Sequence, residues 1–148
     1  MQNIYRQIMK EIVNYLEPFK DDYSEQRFEF NIMDFTDGDD GYRVDVNGYY
    51  KDEYEPEKQT KFILLRFYIY NEYRQIQISN IFLPTFMRYR GIGKKLIYTI
   101  FTISEKEQYE LFIVDMVNSF YQKMIKRGAF SCLECDDAVQ IVSNTKLF

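Results

Sequence analysis

One short loop constrains the fold of this chain more than any other segment. Residues 88–95 contain two glycines and four cationic side chains but no acidic residue. An alternating apolar run, which predicts a strand, precedes the loop, and apolar residues at helical spacing follow it. Glycine lets the backbone approach a ligand closely, and a helix start offers unpaired N–H groups and the positive end of a dipole. The segment therefore predicts a strand–loop–helix unit with a site for phosphate or pyrophosphate.

Two other phosphate-binding motifs do not fit the same loop. A P-loop requires the spacing Gly-x-x-x-x-Gly-Lys-Ser/Thr, which the sequence lacks. A dinucleotide-binding fingerprint requires Gly-x-Gly-x-x-Gly, and Leu96 stands where the third glycine would follow Gly91 and Gly93. The remaining alternative is an ordinary helix start with solvated lysines.

Size and composition predict a single globular domain, residues 1–148. Hydrophobic residues make up 46% and charged residues 28% of the chain, which is common in soluble proteins. The net charge of −4 argues against a nucleic-acid partner. No N-terminal signal pattern is visible, and the longest nearly apolar run, residues 62–70, contains Arg66 and is too short to span a bilayer. We therefore expect a soluble, cytoplasmic protein with no membrane partner.

The absence of histidine and the small number of cysteines exclude several kinds of catalytic site. Without histidine, neither a Ser-His-Asp nor a Cys-His triad can form. Cys132 and Cys135 make a single Cys-x-x-Cys pair, which lacks the second pair of ligands that a zinc site needs. We expect two reduced thiols and no metal.

The charges are spread unevenly along the chain. Residues 34–57 hold nine acidic and two basic groups, a net charge of −7, whereas residues 88–95 carry +4. An anionic cofactor at the second segment and a cationic acceptor at the first would suit this separation. Solvated hairpin turns are the simpler explanation of the acidic segment.

The order of the predicted elements indicates an α/β (α+β) domain. Helical spacing covers residues 3–16, the stretch from the glycine loop to about residue 106, and residues 117–126. Strands are predicted at 27–35, 42–51, 61–70, 73–83, 109–115 and 138–143, with a charged linker at 52–60. A stretch of turn-forming residues at 37–41 makes an antiparallel hairpin of the first two strands.

The glycine loop resembles the acetyl-CoA-binding loop of the GCN5-related N-acetyltransferases (GNAT superfamily), whose signature is Arg/Gln-x-x-Gly-x-Gly/Ala. Residues 88–93 match it at every specified position. The resemblance implies a mixed, mostly antiparallel central sheet with helices on both faces, which splays apart after the fourth strand to admit the pantetheine arm. It also implies a set of cofactor-binding residues, Phe82 and Leu83 through their backbone, and Arg88, Arg90, Gly91, Ile92, Gly93, Lys94 and Lys95 around the pyrophosphate.

A second block resembles the family less closely. Phe120-Tyr121 and the trailing Gly128-Ala129-Phe130 are present, but Gly128 comes three residues later than usual, and Val114 replaces a common asparagine. The resemblance makes Tyr121 the candidate catalytic acid, which would protonate the thiolate that leaves a thioester. The alternative is that Tyr121 only packs on its helix face.

The base that would deprotonate an acceptor amine is not evident from the sequence. The family often uses a carboxylate on the fourth strand, and residues 74–80 contain none. Asp115 and Asp45 are two substitutes that the sequence does not rank. A water oriented by Ser79 and Asn80, or no dedicated base, are the other options.

These features predict an acetyl-CoA-dependent N-acetyltransferase that moves an acetyl group to a primary amine by direct attack in a ternary complex. Acetyl-CoA is the expected co-substrate, and the acceptor is a small molecule or a protein amine near the acidic segment. The alternative is a catalytically inactive GNAT-fold module that binds acyl-CoA or another protein. The sequence does not identify the oligomeric state, and a homodimer is compatible with it.

Overall fold

The computed structural model of the protein describes residues 2–37, 41–132 and 136–148. Two 3₁₀ turns, Ser24–Gln26 and Thr85–Met87, accompany the helices and strands. The helices are α1 Gln2–Leu16, α2 Phe19–Asp22, α3 Ile92–Lys106 and α4 Asn118–Lys126. The strands are β1 Glu29–Asp37, β2 Gly41–Asp52, β3 Glu55–Tyr70, β4 Gln75–Ile81, β5 Glu110–Ile113, β6 Phe130–Ser131 and β7 Val139–Ile141.

The described strands form one sheet in the order β1-β2-β3-β4-β5-β7-β6. Every neighbouring pair is antiparallel except β4 and β5, which run parallel. The mixed, mostly antiparallel sheet that the sequence predicts is thus confirmed. A parallel pair needs a crossover connection, and α3 supplies it between β4 and β5.

The charged linker predicted at residues 52–60 is wrong. β3 begins at Glu55, and its first residues pair with β2, with Lys51 opposite Gln59 and Asp52 opposite Glu55. Main-chain hydrogen bonds to β2 hold this stretch, while its side chains are exposed. It therefore lacks the apolar alternation by which a strand is recognised in a sequence.

Two other predictions fall partly outside the described residues. The hairpin of the first two strands is confirmed by the antiparallel register of β1 and β2. Its turn at residues 37–41 includes positions 38–40, and the Cys-x-x-Cys pair includes Cys135, which lie outside the described ranges. Cys132 is of intermediate exposure.

The core lies between one face of the sheet and the helices α1 and α3. The apolar stripe of α1, represented by Ile8 and Ile12, is fully buried, and α1 packs against α3. On the sheet, the register places Val44, Phe67 and Ile78 side by side, all fully buried. Because α3 connects two parallel strands, its N-terminus lies at the edge of the sheet where both β4 and β5 end.

Candidate active site

A gap opens between β4 and β5 at this edge. Their register ends at the pair Ile78–Ile113, but β4 continues to Ile81. The main-chain bond from Val114 N–H to the Ile78 carbonyl, 2.8 Å, follows the last paired residues. Ser79 is the extra residue of a β-bulge against β3, which bends a strand locally. The last three residues of β4 therefore have no partner on their β5 side.

A cavity of about 160 Å³ occupies the gap. Its lining residues come from the end of β4, the end of β5 and the start of α4. They are Ile78, Ser79, Asn80, Ile81, Ile113, Val114, Asp115, Met116, Val117 and Phe120.

The backbone groups that face the gap belong to Ile81. The Phe82 N–H donates to the Leu64 carbonyl at 3.0 Å, so Phe82 faces β3. Since successive residues of a strand direct their main-chain groups to opposite sides, those of Ile81 point toward the gap. The Leu83 carbonyl accepts a hydrogen bond from Arg88 Nε at 2.8 Å. Phe82 and Leu83, the two residues predicted to bind pantetheine, thus each have one backbone group already in a hydrogen bond. The main-chain groups that point toward the gap are those of Ile81, a residue that the sequence did not indicate.

The glycine loop begins α3 without a side-chain cap. Gly91, at φ +73°, precedes the helix and makes no side-chain cap hydrogen bond, and the first helical bond runs from Lys95 N–H to the Gly91 carbonyl at 2.9 Å. A Cβ added at Gly91 would meet no atom within 4 Å. A Cβ at Gly93 would meet only Ile81 Cγ2, at 3.4 Å. The start of α3 therefore presents open backbone directly beside the gap-facing residue Ile81.

The four cations of the loop are placed differently from one another. The exposed Arg88 side chain lies 5.7 Å from the Phe82 ring centroid and bonds the main chain of Leu83. Arg90 Nη1 donates to the Tyr23 hydroxyl at 2.8 Å, which holds that guanidinium next to the residue that follows α2. Within the described ranges, none of the four cations forms a salt bridge with a carboxylate.

The rest of the predicted loop set is also accounted for. Lys94 is partly buried, and Lys95 Nζ lies 5.3 Å from the Tyr98 ring centroid. The Ile92 side chain is 1% exposed, so this residue can contact a ligand only through its backbone. An uncapped helix start, open glycine positions and cations without carboxylate partners fit a pyrophosphate.

Tyr121 lies beside the gap rather than in it. Its ring is 9% exposed, and its hydroxyl is 2.6 Å from Ser131 Oγ. Ser131 Oγ in turn donates to the Cys132 carbonyl at 3.4 Å. A serine hydroxyl has one proton, so in this arrangement the Tyr121 hydroxyl is the donor of its hydrogen bond with Ser131. Its neighbour Phe120, and not Tyr121, lines the cavity.

The structure ranks the two candidate carboxylates. Asp45 is 5% exposed and accepts two hydrogen bonds from Arg66, at 2.8 and 3.0 Å. Asp115 is exposed, lines the gap and has φ +55°, in the left-handed region. Asp45 is therefore occupied by an ion pair on the sheet, whereas Asp115 faces the cavity.

The polar residues of β4 contribute unequally to the gap. Asn80 Nδ2 donates to the Ile63 carbonyl at 2.8 Å, so this amide bonds β3. Ser79 lines the cavity and is partly exposed. Of the two residues expected to orient a water, Ser79 is the less engaged in the described structure.

A second cavity, of about 510 Å³, combines acidic and aromatic side chains. It includes Glu25, Asp52 and Glu53, together with Tyr50 and Phe86. A chain of ring contacts joins it to the end of β4, with centroid distances of 5.2 Å for Phe86–Tyr50, 5.9 Å for Tyr50–Phe62 and 5.9 Å for Phe62–Phe82. This acidic–aromatic cavity lies at the turn between β2 and β3, beside the 3₁₀ turn Thr85–Met87 that precedes the glycine loop.

A larger groove, of about 690 Å³, runs between α1 and α3. It includes Lys95, and three of its other polar side chains bond one another: Gln7 donates to Glu107 at 2.7 Å, and Lys106 donates to Gln7 at 3.2 Å. Size alone does not make this groove the site, because it lies along the helices and away from the gap in the sheet.

Metal-binding clusters and membrane-spanning helices are both absent from the described residues. No cluster of three or more His, Cys, Asp or Glu side chains that could hold a metal ion occurs among them. None of the helices in the described ranges is both long enough and apolar enough to cross a bilayer.

No protein-family model and no curated protein sequence matches this chain. Two solved structures resemble it in fold. One, from Klebsiella pneumoniae, is provisionally named an acyl-CoA N-acyltransferase; it is 7% identical, covers 76% of this chain and 96% of its own, and has a TM-score of 0.41. The other, from Agrobacterium tumefaciens, is provisionally named an acetyltransferase; it is 14% identical, covers 89% of this chain and 86% of its own, and has a TM-score of 0.39.

Both names belong to the enzyme class whose acetyl-CoA-binding loop the glycine loop resembles. At TM-scores of 0.41 and 0.39, both structures are distant from this chain.

Proposed function

We propose that the protein is an acyl-CoA-dependent N-acyltransferase of the GNAT type, with acetyl-CoA as its co-substrate and a primary amine as acceptor. The observation that carries this proposal is that the start of α3 lies beside the end of β4, since a Cβ built on Gly93 would stand 3.4 Å from Ile81 Cγ2. A diphosphate held at the helix start would direct the attached chain into the gap.

The loop supplies the charge that such a co-substrate needs. Arg88 is exposed, and among the described residues its side chain donates a hydrogen bond through Nε, which leaves its terminal nitrogens for phosphate oxygens. Lys94, Lys95 and the N–H groups of the first turn of α3 add further donors. Arg90 would have to release the Tyr23 hydroxyl to take part.

Within the gap, the main-chain groups of Ile81 offer an unpaired strand edge. An amide-containing chain that enters the gap can bond to such an edge as an added strand would. This arrangement aims the thioester at the residues that line the cavity. Transfer would proceed by direct attack of the amine, and Cys132 is not among the residues that line the gap.

The acceptor of this proposed reaction is a cationic amine, a small molecule or a protein side chain. The acidic–aromatic cavity supports this choice, because carboxylates attract an ammonium group and aromatic faces bind it through cation–π contacts. The ring contacts from Phe86 to Phe82 join this cavity to the end of β4. The cytoplasmic location and the homodimer remain predictions.

One observation favours a second candidate, an acyl-CoA-binding module without catalysis. The Tyr121 hydroxyl, the predicted acid, is bonded to Ser131 and stands outside the cavity lining. An active enzyme would need this hydroxyl to turn toward the gap, or would take the sulfur proton from water.

Calorimetric titration with acetyl-CoA tests the proposal. We expect binding by the wild type that weakens about 10-fold or more in Arg88→Ala, since a charge-assisted hydrogen bond contributes roughly 1.5–3 kcal/mol. Arg6→Ala, an exposed change of the same kind on α1, is the matched control and should bind like the wild type. Affinity that is absent in the wild type, or unchanged in Arg88→Ala, would contradict the proposed site.

Release of free thiol in the presence of primary amines distinguishes the enzyme from the inactive module. Acetyl-CoA with spermidine, an aminoglycoside or a lysine peptide should give turnover if the enzyme proposal is right. Binding without turnover across this panel would support the module instead.

A further inference from the structure

We propose that Asp115 is the catalytic base, the group that takes the proton from the acceptor amine during transfer. This inference rests on the proposed function, because it needs an amine and a thioester to meet in the gap between β4 and β5. It assigns to one side chain a role that the sequence left open between Asp115, Asp45, a water and no base.

Asp115 is the sole titratable side chain among the residues that line the cavity in the described structure. The other lining residues are apolar, or carry a hydroxyl or amide group that does not ionise near neutral pH. Within the described ranges, Asp115 forms no salt bridge. Its carboxylate is therefore free to meet an incoming ammonium group.

The backbone on both sides of Asp115 is anchored. The N–H of Val114 donates to the Ile78 carbonyl, and the N–H of Met116 donates to the Asp137 carbonyl, both at 2.8 Å. Between these two bonds Asp115 adopts φ +55°, a conformation that is uncommon outside glycine and that Asn and Asp tolerate best. A side chain that must keep a fixed position at a reaction site benefits from a backbone held in this way.

The rival groups are engaged elsewhere. Arg66 donates two hydrogen bonds to Asp45, and Arg43 Nε lies 3.4 Å from Asp45 Oδ1. The Asn80 amide is bonded to the main chain of β3. Ser79 lines the same gap as Asp115 and could hold a water between the amine and the carboxylate.

The chemistry can be written with its atoms balanced. The acceptor enters as an ammonium group and loses one proton to solvent. The neutral amine then attacks the thioester carbonyl carbon; the C–N bond forms, the C–S bond breaks, and the electron pair leaves on sulfur. The proton that nitrogen then loses goes to the Asp115 carboxylate and from there to solvent. The thiolate takes a proton from solvent or from Tyr121, which is then reprotonated from solvent, so that one proton moves from nitrogen to sulfur overall.

The variant Asp115→Asn tests this role with little change of shape, since asparagine also tolerates the left-handed backbone. Thiol release from acetyl-CoA with spermidine should fall about 10²–10⁴-fold. Acetyl-CoA affinity by calorimetry should stay at the wild-type value. Asp21→Asn, an exposed change on α2, is the matched control and should keep wild-type turnover.

Two readouts separate a base from a structural residue. The pH profile of the wild-type rate should differ from that of Asp115→Asn, because only the wild type carries a carboxylate at this position. Asp136 and Asp137, both exposed, are charged groups on the segment whose Asp137 carbonyl accepts the Met116 N–H. In carbon-13 spectra, the carboxyl signal of Asp115 is the one that is absent from Asp115→Asn. This signal should shift when spermidine is added to the wild type with CoA.

The outcomes are distinguishable from those of the proposed function. A wild type that binds acetyl-CoA and turns over, with Asp115→Asn equally active, would overturn the role of Asp115 alone. A wild type without turnover on spermidine, the aminoglycoside and the lysine peptide would overturn the proposed enzyme and this inference with it.

Discussion

Asp45 on β2 and Arg66 on β3 face each other across the sheet and form a bidentate ion pair, with Arg66 Nε and Nη2 at 2.8 and 3.0 Å from the two carboxylate oxygens. Asp45 is 5% exposed. The hydrogen bond to Asp45 is the main reason that the pKa of Arg66 is raised above its ordinary value. Because folding raises this pKa, the contribution of the Arg66 charge is present while Asp45 is a carboxylate, and it is lost only as the pH rises through the folded-state pKa of Arg66.

The Asp45–Arg66 pair should therefore matter for stability and not for transfer. Asp45→Asn should lower the free energy of unfolding by about 2 kcal/mol, because a partly buried guanidinium loses its charged partner. Urea unfolding measures this loss. Acetyl-CoA affinity should be unchanged, whereas a loss of turnover in excess of the loss of folded protein would place Asp45 in the active site.

The two glycines of the loop should respond to alanine with opposite signs. Gly93 lies inside α3, so Gly93→Ala should raise the free energy of unfolding by about 0.5–1 kcal/mol through helix propensity. Gly91 has φ +73°, so Gly91→Ala should lower it by about 1 kcal/mol. Thermal or urea unfolding gives both values, and two changes of the same sign would contradict the described backbone.

Bulk at position 93 should separate binding from stability. The resembled signature admits alanine at this position, so Gly93→Ala should keep acetyl-CoA affinity. Leucine is also a good helix former, but its side chain would cover the first turn of α3 beside Ile81. Gly93→Leu should remain folded by circular dichroism and bind acetyl-CoA at least about 10-fold more weakly, given that one lost charge-assisted bond is worth that much. Equal affinity of the two variants would mean that the diphosphate does not lie at the helix start.

Tyr121→Phe tests the acid role that the sequence suggests. The lost bond to Ser131 should cost about 1 kcal/mol of stability. If Tyr121 turns into the gap and acts as the acid, turnover falls about 10²–10⁴-fold while acetyl-CoA affinity is kept. Tyr109→Phe is the matched control, since its hydroxyl also donates to one partly buried side chain, Asn71 Oδ1 at 3.1 Å. Unchanged turnover in Tyr121→Phe would assign the hydroxyl to packing with Ser131.

The stability of the protein should fall at high pH through two tyrosines of α1. Burial, more than any neighbouring charge, raises the pKa of Tyr5 and of Tyr15 above 10.0. Unfolding lets these hydroxyls ionise more readily, so the stabilisation is complete below pH 10.0 and is lost as the pH rises through the folded-state values. Urea unfolding between pH 8 and pH 11 should show this decline, and Tyr5→Phe should make it shallower. A slope that is the same in the wild type and in Tyr5→Phe would refute the contribution of Tyr5.

Several parts of the architecture were accessible from the sequence because they depend on local patterns. The apolar spacing of α1 and the alternation along β4 predict elements that the structure contains, and the glycine loop is indeed followed by α3. The start of β3 was not accessible, because residues 55–60 are charged and exposed and take their strand form from pairing with β2. The polar stretch carries no signal of its own.

Within the candidate site, the sequence alone determined the chemistry that is available: a cationic glycine loop at a strand–helix junction, no histidine, and a small set of carboxylates and tyrosines. The tertiary structure decided which of them meet. Asp45 and Asp115 are equivalent as residue types, but strand register pairs Asp45 with Arg66, and the early end of β5 leaves Asp115 at a gap. Register and the length of a strand depend on contacts between segments far apart in the chain, and for that reason no local pattern could have ranked the two.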